Sequence, residues 1–173
     1  MIDIKEFVLA EEPITKNELA LLKVVNMVNA ERIIVTGSTA LYKMGLTQDV
    51  GDLDIILVSP DKVTKDILLF WQKQFPALTK APENSQLFSI FTLHKTKVDV
   101  FIQRDFSERT IPTNKGYEIA TVKWIVTAKM TYKRLKDWLQ LRQIALDIFD
   151  ETKFQRWLKE TPMKQIIQSK DEY

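Results

Sequence analysis

Three aspartates lie within segments that are otherwise apolar, where a carboxylate is unusual. Asp52 and Asp54 stand on either side of Leu53 at the start of one apolar segment, and Asp99 stands between valines in a later one. Aspartate is poorly suited to β-strands, so these positions call for an explanation. Because side chains two residues apart on a strand lie on one face, Asp52 and Asp54 are expected to share one environment. Asp99 joins them if the two segments pair side by side.

A cluster of this kind has a definite chemistry. Neighbouring carboxylates raise one another's pKa and destabilise the fold unless a cation compensates them. Mg²⁺ and Mn²⁺ prefer hard oxygen ligands, often together with the phosphates of a substrate. With two such ions, the cluster can stabilise the attacking and leaving oxygens of a phosphoryl or nucleotidyl transfer. The simpler alternative is a surface turn formed by residues 49–52, because a single Asp-x-Asp is common in turns.

A glycine and a serine follow the first apolar segment of the chain, at Gly37 and Ser38. A glycine after a strand lets the backbone approach a ligand closely, and a serine that opens a helix offers its hydroxyl and free amides to an anion. Thirteen residues, 39–51, separate Ser38 from Asp52, which is room for one short helix and a return loop. The pattern therefore predicts a phosphate-binding site at the same edge of the sheet as the carboxylates.

Apolar spacing and turn residues divide the chain into helices and strands. The first half is predicted to contain three helices, at 17–28, 39–44 and 60–76, and two strands, at 32–35 and 53–58. The second half is predicted to begin with a β-hairpin, at 87–93 and 98–102 with a connection at 94–97, followed by a loop at 106–116. Residues 117–161 contain neither Gly nor Pro, so two or three helices are expected there.

This succession of elements indicates the fold class. Strands that alternate with helices, followed by a hairpin and a run of helices, predict an α/β (α+β) fold with a mixed sheet flanked by helices and a C-terminal helical subdomain. The expected division places the carboxylate-bearing domain, with an N-terminal helix, at 1–112 and the helical subdomain at 113–173.

Composition excludes several classes of site. The chain has 25 basic and 23 acidic side chains, a formal charge of +2, which does not indicate a general nucleic-acid binder. It has no cysteine and one histidine, which excludes disulfides, zinc-thiolate sites and histidine clusters. No apolar run approaches the ~20 residues needed to cross a bilayer, and no secretory signal is recognisable. A cytoplasmic protein without a membrane partner is therefore predicted.

The order of these motifs resembles the nucleotidyltransferase-fold superfamily. That superfamily includes the DNA polymerase β-like enzymes, the minimal nucleotidyltransferases and the abortive-infection (AbiEii-like) nucleotidyltransferases, and the likeness is nearest to the last group. Its motif is an apolar strand, Gly-Ser, Asp-x-Asp between apolar residues, and a third acid on a later strand, which here fall at 33–38, 52–56 and 98–101. The resemblance covers roughly residues 30–140 and implies a nucleotidyltransferase-fold sheet.

The resemblance also implies roles for the residues of the motif. Asp52, Asp54 and Asp99 would be the catalytic residues and the ligands of Mg²⁺ or Mn²⁺, with Asp99 activating an acceptor hydroxyl. Gly37 and Ser38 would hold the triphosphate of an NTP. The spacing between the two motif halves lies at the long end of the family range, and Gly51 stands where a small polar residue is usual.

A basic stretch follows at residues 128–141, where Lys129, Lys133 and Lys136 recur at helical spacing on one face. The pattern alone is equally typical of a solvated helix face. The stretch is similar to a helix that follows the catalytic domain in abortive-infection nucleotidyltransferases. That likeness implies that Lys129 reaches the triphosphate, while Arg134 and Lys136 support the anionic substrate or a contact between domains.

The function favoured by these observations is a metal-dependent nucleotidyltransferase that transfers NMP from an NTP to a hydroxyl acceptor. The acceptor classes left open are tRNA, a protein and a small molecule, and the resemblance extends to toxin–antitoxin or phage-defence systems with a cognate antitoxin or toxin. One alternative is a catalytically inactive member of the fold that serves as a binding or interaction module. Another is a general nucleic-acid binder that uses Lys129 to Lys136.

Overall fold

A computed structural model describes residues 15–48, 50–78, 86–132, 137 and 139–141 of the chain. Its centre is a six-stranded mixed sheet flanked by helices. The mixed α/β class predicted from the order of elements is thereby confirmed. In chain order the elements are α1 (Lys16–Met27), β1 (Arg32–Thr36), α2 (Gly37–Lys43), β2 (Leu53–Val58), α3 (Lys62–Gln74), β3 (Leu87–Leu93), β4 (Thr96–Gln103), β5 (Thr110–Pro112), β6 (Glu118–Ala120) and α4 (Val122–Tyr132).

The strands are arranged in the order β3-β4-β2-β1-β6-β5. The interior strand β2 runs antiparallel to β1 and parallel to β4. It is almost wholly apolar and is buried from Ile55 to Val58, as is typical of a strand covered on both faces. The exception lies at its beginning, where Asp54 is only partly buried. The site must therefore be built around the beginnings of β2 and β4.

The helices begin where side chains cap them. The side chain of Thr15 accepts a hydrogen bond from the backbone amide of Glu18 at the start of α1. Asp61 does the same for Thr64 at the start of α3, at 2.7 Å, which sets the beginning of that helix two residues after Pro60. The short helix α2 begins directly at Gly37, so no loop separates it from β1.

The predicted β-hairpin is confirmed, with β3 and β4 antiparallel. Its turn consists of His94 and Lys95 alone, both with left-handed backbone angles, φ 48° and 62°. A two-residue turn with positive φ at both positions suits the twist of a hairpin. Strand β4 therefore begins at Thr96, and the expectation that Lys97 belongs to the connection is wrong.

The prediction for residues 106–120 is wrong in part. Within the expected loop 106–116 lies strand β5, and the first residues of the expected helical region form β6. Strand β6 pairs parallel with β1, so its conformation is set by a partner more than eighty residues away rather than by local pattern. The boundary expected at 112/113 falls between β5 and β6, and the sheet continues beyond it.

The hydrophobic core packs the helices onto this sheet. Trp71 of α3 contacts Phe91 of β3 edge to face, with ring centroids 5.3 Å apart. Helix α1 contributes a buried stripe at helical spacing, formed by Ala20, Leu21 and Val24. In the part of the chain that the structure describes, no helix is long and apolar enough to span a membrane.

Candidate functional site

The parallel pairing of β2 with β4 sets Asp54 directly beside Asp99 in register. Asp52 precedes β2 by one residue and lies two positions before Asp54, on the same side of the strand. The structure therefore brings the three predicted carboxylates to one place, where β2 and β4 begin. Asp99 is buried, at 8% exposure, whereas the side chain of Asp52 is 36% exposed.

The cluster carries a high electrostatic cost. Burial raises the pKa of Asp54 to about 8, and the charge of Asp99, a hydrogen bond between the two carboxyl groups and the charge of Asp52 add to this effect. Burial also raises the pKa of Asp99, against the opposing charge of Lys97. Burial and these neighbouring charges therefore favour the protonated form of Asp54, which can donate a hydrogen bond to Asp99.

Gly37 packs directly against the Asp54 carboxyl group. Its backbone angle φ is +66°, and a Cβ atom added at this position would lie 2.2 Å from Asp54 Oδ2. Both the conformation and the space therefore require a residue without a side chain. Thr36, immediately before it, is paired with Asp54 across the β1–β2 ladder. Gly37 thus lies against the carboxylates, and its predicted role in holding a triphosphate stays a prediction.

Ser38, at the start of α2, is hydrogen-bonded to the loop that precedes β2 and carries Asp52. Its Oγ accepts a hydrogen bond from the backbone amide of Gly51 at 3.0 Å, and the next residue, Thr39, donates from Oγ1 to the backbone carbonyl of Asp52 at 3.2 Å. The start of α2 and the residues before β2 are thereby joined. A serine hydroxyl that accepts one hydrogen bond can still donate another, which is compatible with the predicted phosphate contact.

Asn17, which the sequence reasoning did not single out, connects the elements around the site. This buried side chain, at 2% exposure, donates to Thr39 Oγ1 at 3.0 Å and to the Gly51 carbonyl at 3.1 Å. Its Oδ1 accepts from Thr96 Oγ1 at 3.1 Å. Helix α1 is thus tied to α2, to the loop before β2 and to the start of β4. The available signal was an amide four residues before Leu21 on the apolar face of α1.

Lys97 is a second residue that sequence reasoning missed. Its Nζ lies 3.1 Å from Asp52 Oδ2 and 3.5 Å from Asp99 Oδ1, so one ammonium group contacts two of the three carboxylates. Because β4 already includes position 97, Lys97 and Asp99 share a face of the strand. The sequence signal was the two-residue spacing between Lys97 and Asp99. This spacing places both side chains on one face only if the strand starts before position 98.

Lys129 lies inside the molecule rather than on a solvated face. It is 7% exposed and pairs with the fully buried Asp137, with Nζ 3.2 Å from Oδ1. Its charge also lowers the pKa of Asp54, against the larger effects that raise it, which locates Lys129 near the carboxylates. The other two predicted basic residues, Arg134 and Lys136, lie outside the described residues.

The divalent ion that the resemblance implies would find three carboxyl groups and one ammonium group at this place. Among the described residues, no group of three or more His, Cys, Asp or Glu side chains is gathered closely enough to hold an ion, and Lys97 stands between Asp52 and Asp99. The available donors are nevertheless all carboxylate oxygens, and the buried Asp99 Oδ1 is met among the described residues only by the long ion-pair contact with Lys97 Nζ, at 3.5 Å. Carboxylate oxygens are the donors that Mg²⁺ and Mn²⁺ prefer, so the donor type fits the implied ion, whereas the observed arrangement places the Lys97 ammonium group there instead.

Comparison of the chain with protein-family models, with curated proteins and with solved structures finds no match.

Proposed function

We propose that the protein has the nucleotidyltransferase fold and is a metal-dependent nucleotidyltransferase that transfers NMP from an NTP to a hydroxyl acceptor. The observation that carries the proposal is the in-register pairing of Asp54 with Asp99 on neighbouring parallel strands, with Asp52 beside them. Gly37 lies against the Asp54 carboxyl group, and Ser38 is bonded to Gly51, the residue before Asp52. An acid cluster that can hold divalent ions suits such a transfer, and the resemblance implies that the adjacent Gly-Ser turn binds the triphosphate.

In this proposal, Asp52, Asp54 and Asp99 would hold Mg²⁺ or Mn²⁺, which when bound would neutralise part of the negative charge on the triphosphate. Asp99 accepts the proton of the acceptor hydroxyl, whose oxygen forms a bond to the α-phosphorus. The bond from that phosphorus to the bridging oxygen breaks, and pyrophosphate leaves. Gly37 and Ser38 bind the triphosphate in this proposal.

The raised pKa of Asp54 has a consequence for metal loading. A carboxylate ligand must be deprotonated to coordinate a metal ion. Because burial and the neighbouring Asp99 favour the protonated form of Asp54, binding of the ion must release a proton near neutral pH. The cost of that release is offset when the ion compensates the charge of the cluster.

The test is transfer of label from each NTP in the presence of Mn²⁺ to a mixture of tRNA, cell proteins and small hydroxyl compounds. The wild type is expected to label one acceptor class, and Asp99→Asn to lower the rate by about 100-fold or more, because a general base contributes that much. Asp66→Asn, an equal change at an exposed position of α3, is the control and should transfer like the wild type. Undiminished transfer by Asp99→Asn would refute the assignment.

A second candidate is a catalytically inactive binding module with the same fold. The contacts of Lys97 with Asp52 and Asp99 favour it, because the chain itself supplies a cation for the cluster. Thermal unfolding with Mn²⁺ and each NTP separates the two functions. Stabilisation by one metal and nucleotide pair supports the enzyme, whereas an unchanged melting temperature with every pair, together with no label transfer, supports the module.

The general nucleic-acid binder is less well supported. That alternative needs Lys129 on an exposed basic face, and the side chain is instead buried and paired with Asp137. A cation so placed contributes little to the salt-dependent attraction of a phosphate backbone.

A further inference from the structure

The ammonium group of Lys97 occupies the region between two of the proposed metal ligands. It contacts Asp52 Oδ2 at 3.1 Å and Asp99 Oδ1 at 3.5 Å. The Lys97 side chain is 28% exposed and that of Asp99 12%, so the contacts are partly shielded from water. Attraction between opposite charges is stronger in such a place than at an open surface. Lys97 therefore stabilises the cluster in the structure described above.

A divalent ion and this ammonium group compete for the same oxygens. Mg²⁺ binds carboxylate oxygen at about 2.1 Å, which leaves no room for an ammonium group on that oxygen's inner side. The two cations would also repel each other strongly at such a separation. Lysine can move away because its four-carbon stem is flexible and its ammonium is readily hydrated.

We propose that Lys97 is an exchangeable counter-ion of the carboxylate cluster: it offsets part of the negative charge of Asp52 and Asp99 in the absence of metal and leaves when a divalent ion binds. This inference rests on the metal-dependent function proposed above. It explains how the carboxylates of Asp52 and Asp99 can lie close together without a metal ion. It also makes metal binding weaker than the same oxygens would give alone, because the ion must displace a bound cation.

The inference predicts two opposite effects of Lys97→Met, which removes the charge and retains much of the apolar stem. Without metal, the variant should be less stable than the wild type, because the repulsion between Asp52 and Asp99 is no longer offset. With metal, it should bind Mn²⁺ about tenfold more tightly or better, since no resident cation repels the ion or has to be displaced. If Lys97 had a merely structural role, its replacement by Met would lower both the stability of the protein and its affinity for Mn²⁺.

Calorimetric titration with Mn²⁺ alone, and thermal unfolding with and without Mn²⁺, measure both effects. The matched control is Lys95→Met, which removes the same charge from an exposed position in the turn of the same hairpin. Tighter binding by Lys97→Met but not by Lys95→Met supports the inference. Equal or weaker binding by Lys97→Met overturns it and leaves the metal-dependent function standing.

Two further outcomes are informative. If none of the three proteins binds Mn²⁺, both the inference and the metal-dependent function fail. If Lys97→Met is unfolded without metal, circular dichroism during titration with Mn²⁺ decides the matter. Recovery of the folded spectrum supports exchange between the two cations, whereas a variant that stays unfolded at about 10 mM Mn²⁺, far above usual protein affinities for divalent ions, overturns it.

Discussion

At the scale of single residues, Gly37 and Asp54 depend on each other. The Asp54 carboxyl group fills the space in which a Gly37 side chain would lie, with 2.2 Å between Oδ2 and the added Cβ. The glycine also has a positive φ, which other residues adopt at a cost of about 1–2 kcal/mol. Gly45 has a similar φ of +75° but nothing within 4 Å of an added Cβ. Comparison of alanine substitutions at the two glycines therefore distinguishes the cost of backbone strain from the cost of steric conflict.

Gly37→Ala is expected to lower the free energy of unfolding by about 3 kcal/mol or more, because strain and overpacking add. Gly45→Ala should cost only the strain, about 1 kcal/mol. Urea unfolding of both variants measures the difference. Combining Gly37→Ala with Asp54→Ala should restore part of the loss by removing the carboxyl group. Equal losses in the two single variants would contradict the proposed conflict with Asp54.

At the scale of elements, a single polar side chain sets the relative position of the segments that carry the site. Asn17 of α1 bonds to Thr39 of α2, to the Gly51 carbonyl before β2 and to Thr96 at the start of β4. Both amide hydrogens and the amide oxygen are used. Buried polar networks that are fully paired are rigid and specify one arrangement. The loop that carries Asp52 is thereby held against α2.

Asn17→Ala should lower the free energy of unfolding by about 1–3 kcal/mol, because it leaves the buried polar groups of its partners without a hydrogen bond. Asn26→Ala, at an exposed position of the same helix, is the control and should change stability by less than about 0.5 kcal/mol. Chemical unfolding checks both values. A loss at Asn17 no larger than that at Asn26 would show that the network contributes nothing to stability.

At the scale of the whole molecule, an ionic network joins α1, α2 and the segment before β6, which are distant in sequence. Glu18 of α1 pairs with Lys43 of α2 and with Lys115, and accepts a hydrogen bond from Tyr117 Oη at 3.1 Å. Burial raises the pKa of Glu18, but the hydrogen bonds and charges of these partners outweigh that effect and lower the pKa below its ordinary value. The segment before β6 is thus fastened to α1 and α2.

The lowered pKa of Glu18 sets the direction of a pH dependence. A carboxyl group with a depressed pKa in the folded protein adds stability above its ordinary pKa of 4.5, and this stability is lost as the pH falls through the folded value. Glu18→Gln is therefore expected to be less stable than the wild type by about 1–2 kcal/mol near pH 7, with the difference shrinking below about pH 4.5.

Unfolding in urea over a pH series measures this difference. Glu31→Gln, at an exposed position outside the network, is the control and should follow the wild type at every pH. A difference between Glu18→Gln and the wild type that stayed constant down to about pH 3 would contradict the assigned cause, because a protonated Glu18 no longer differs in charge from glutamine.

The sequence by itself determined the elements that local pattern controls. Strand β2 was predicted at 53–58 and β3 at 87–93, both as observed, because a strand interior has a strong local pattern, whereas the connection of the hairpin was predicted two residues too long. Period-two spacing predicted Asp52 and Asp54 on one face, whereas Asp99 was expected beside them only if β4 paired with β2, and that pairing was decided by the tertiary structure. Their roles as ligands of a metal ion stay predictions.

The tertiary structure alone decided the parts that depend on distant partners. Strand β6 forms by pairing with β1. The buried Lys129 is paired with the carboxylate of Asp137. Lys97 belongs to the site because the hairpin turn has only two residues, so that β4 begins at Thr96 and includes Lys97. Pairing register, burial and charge contacts arise between residues far apart in the chain, and no local pattern specifies them.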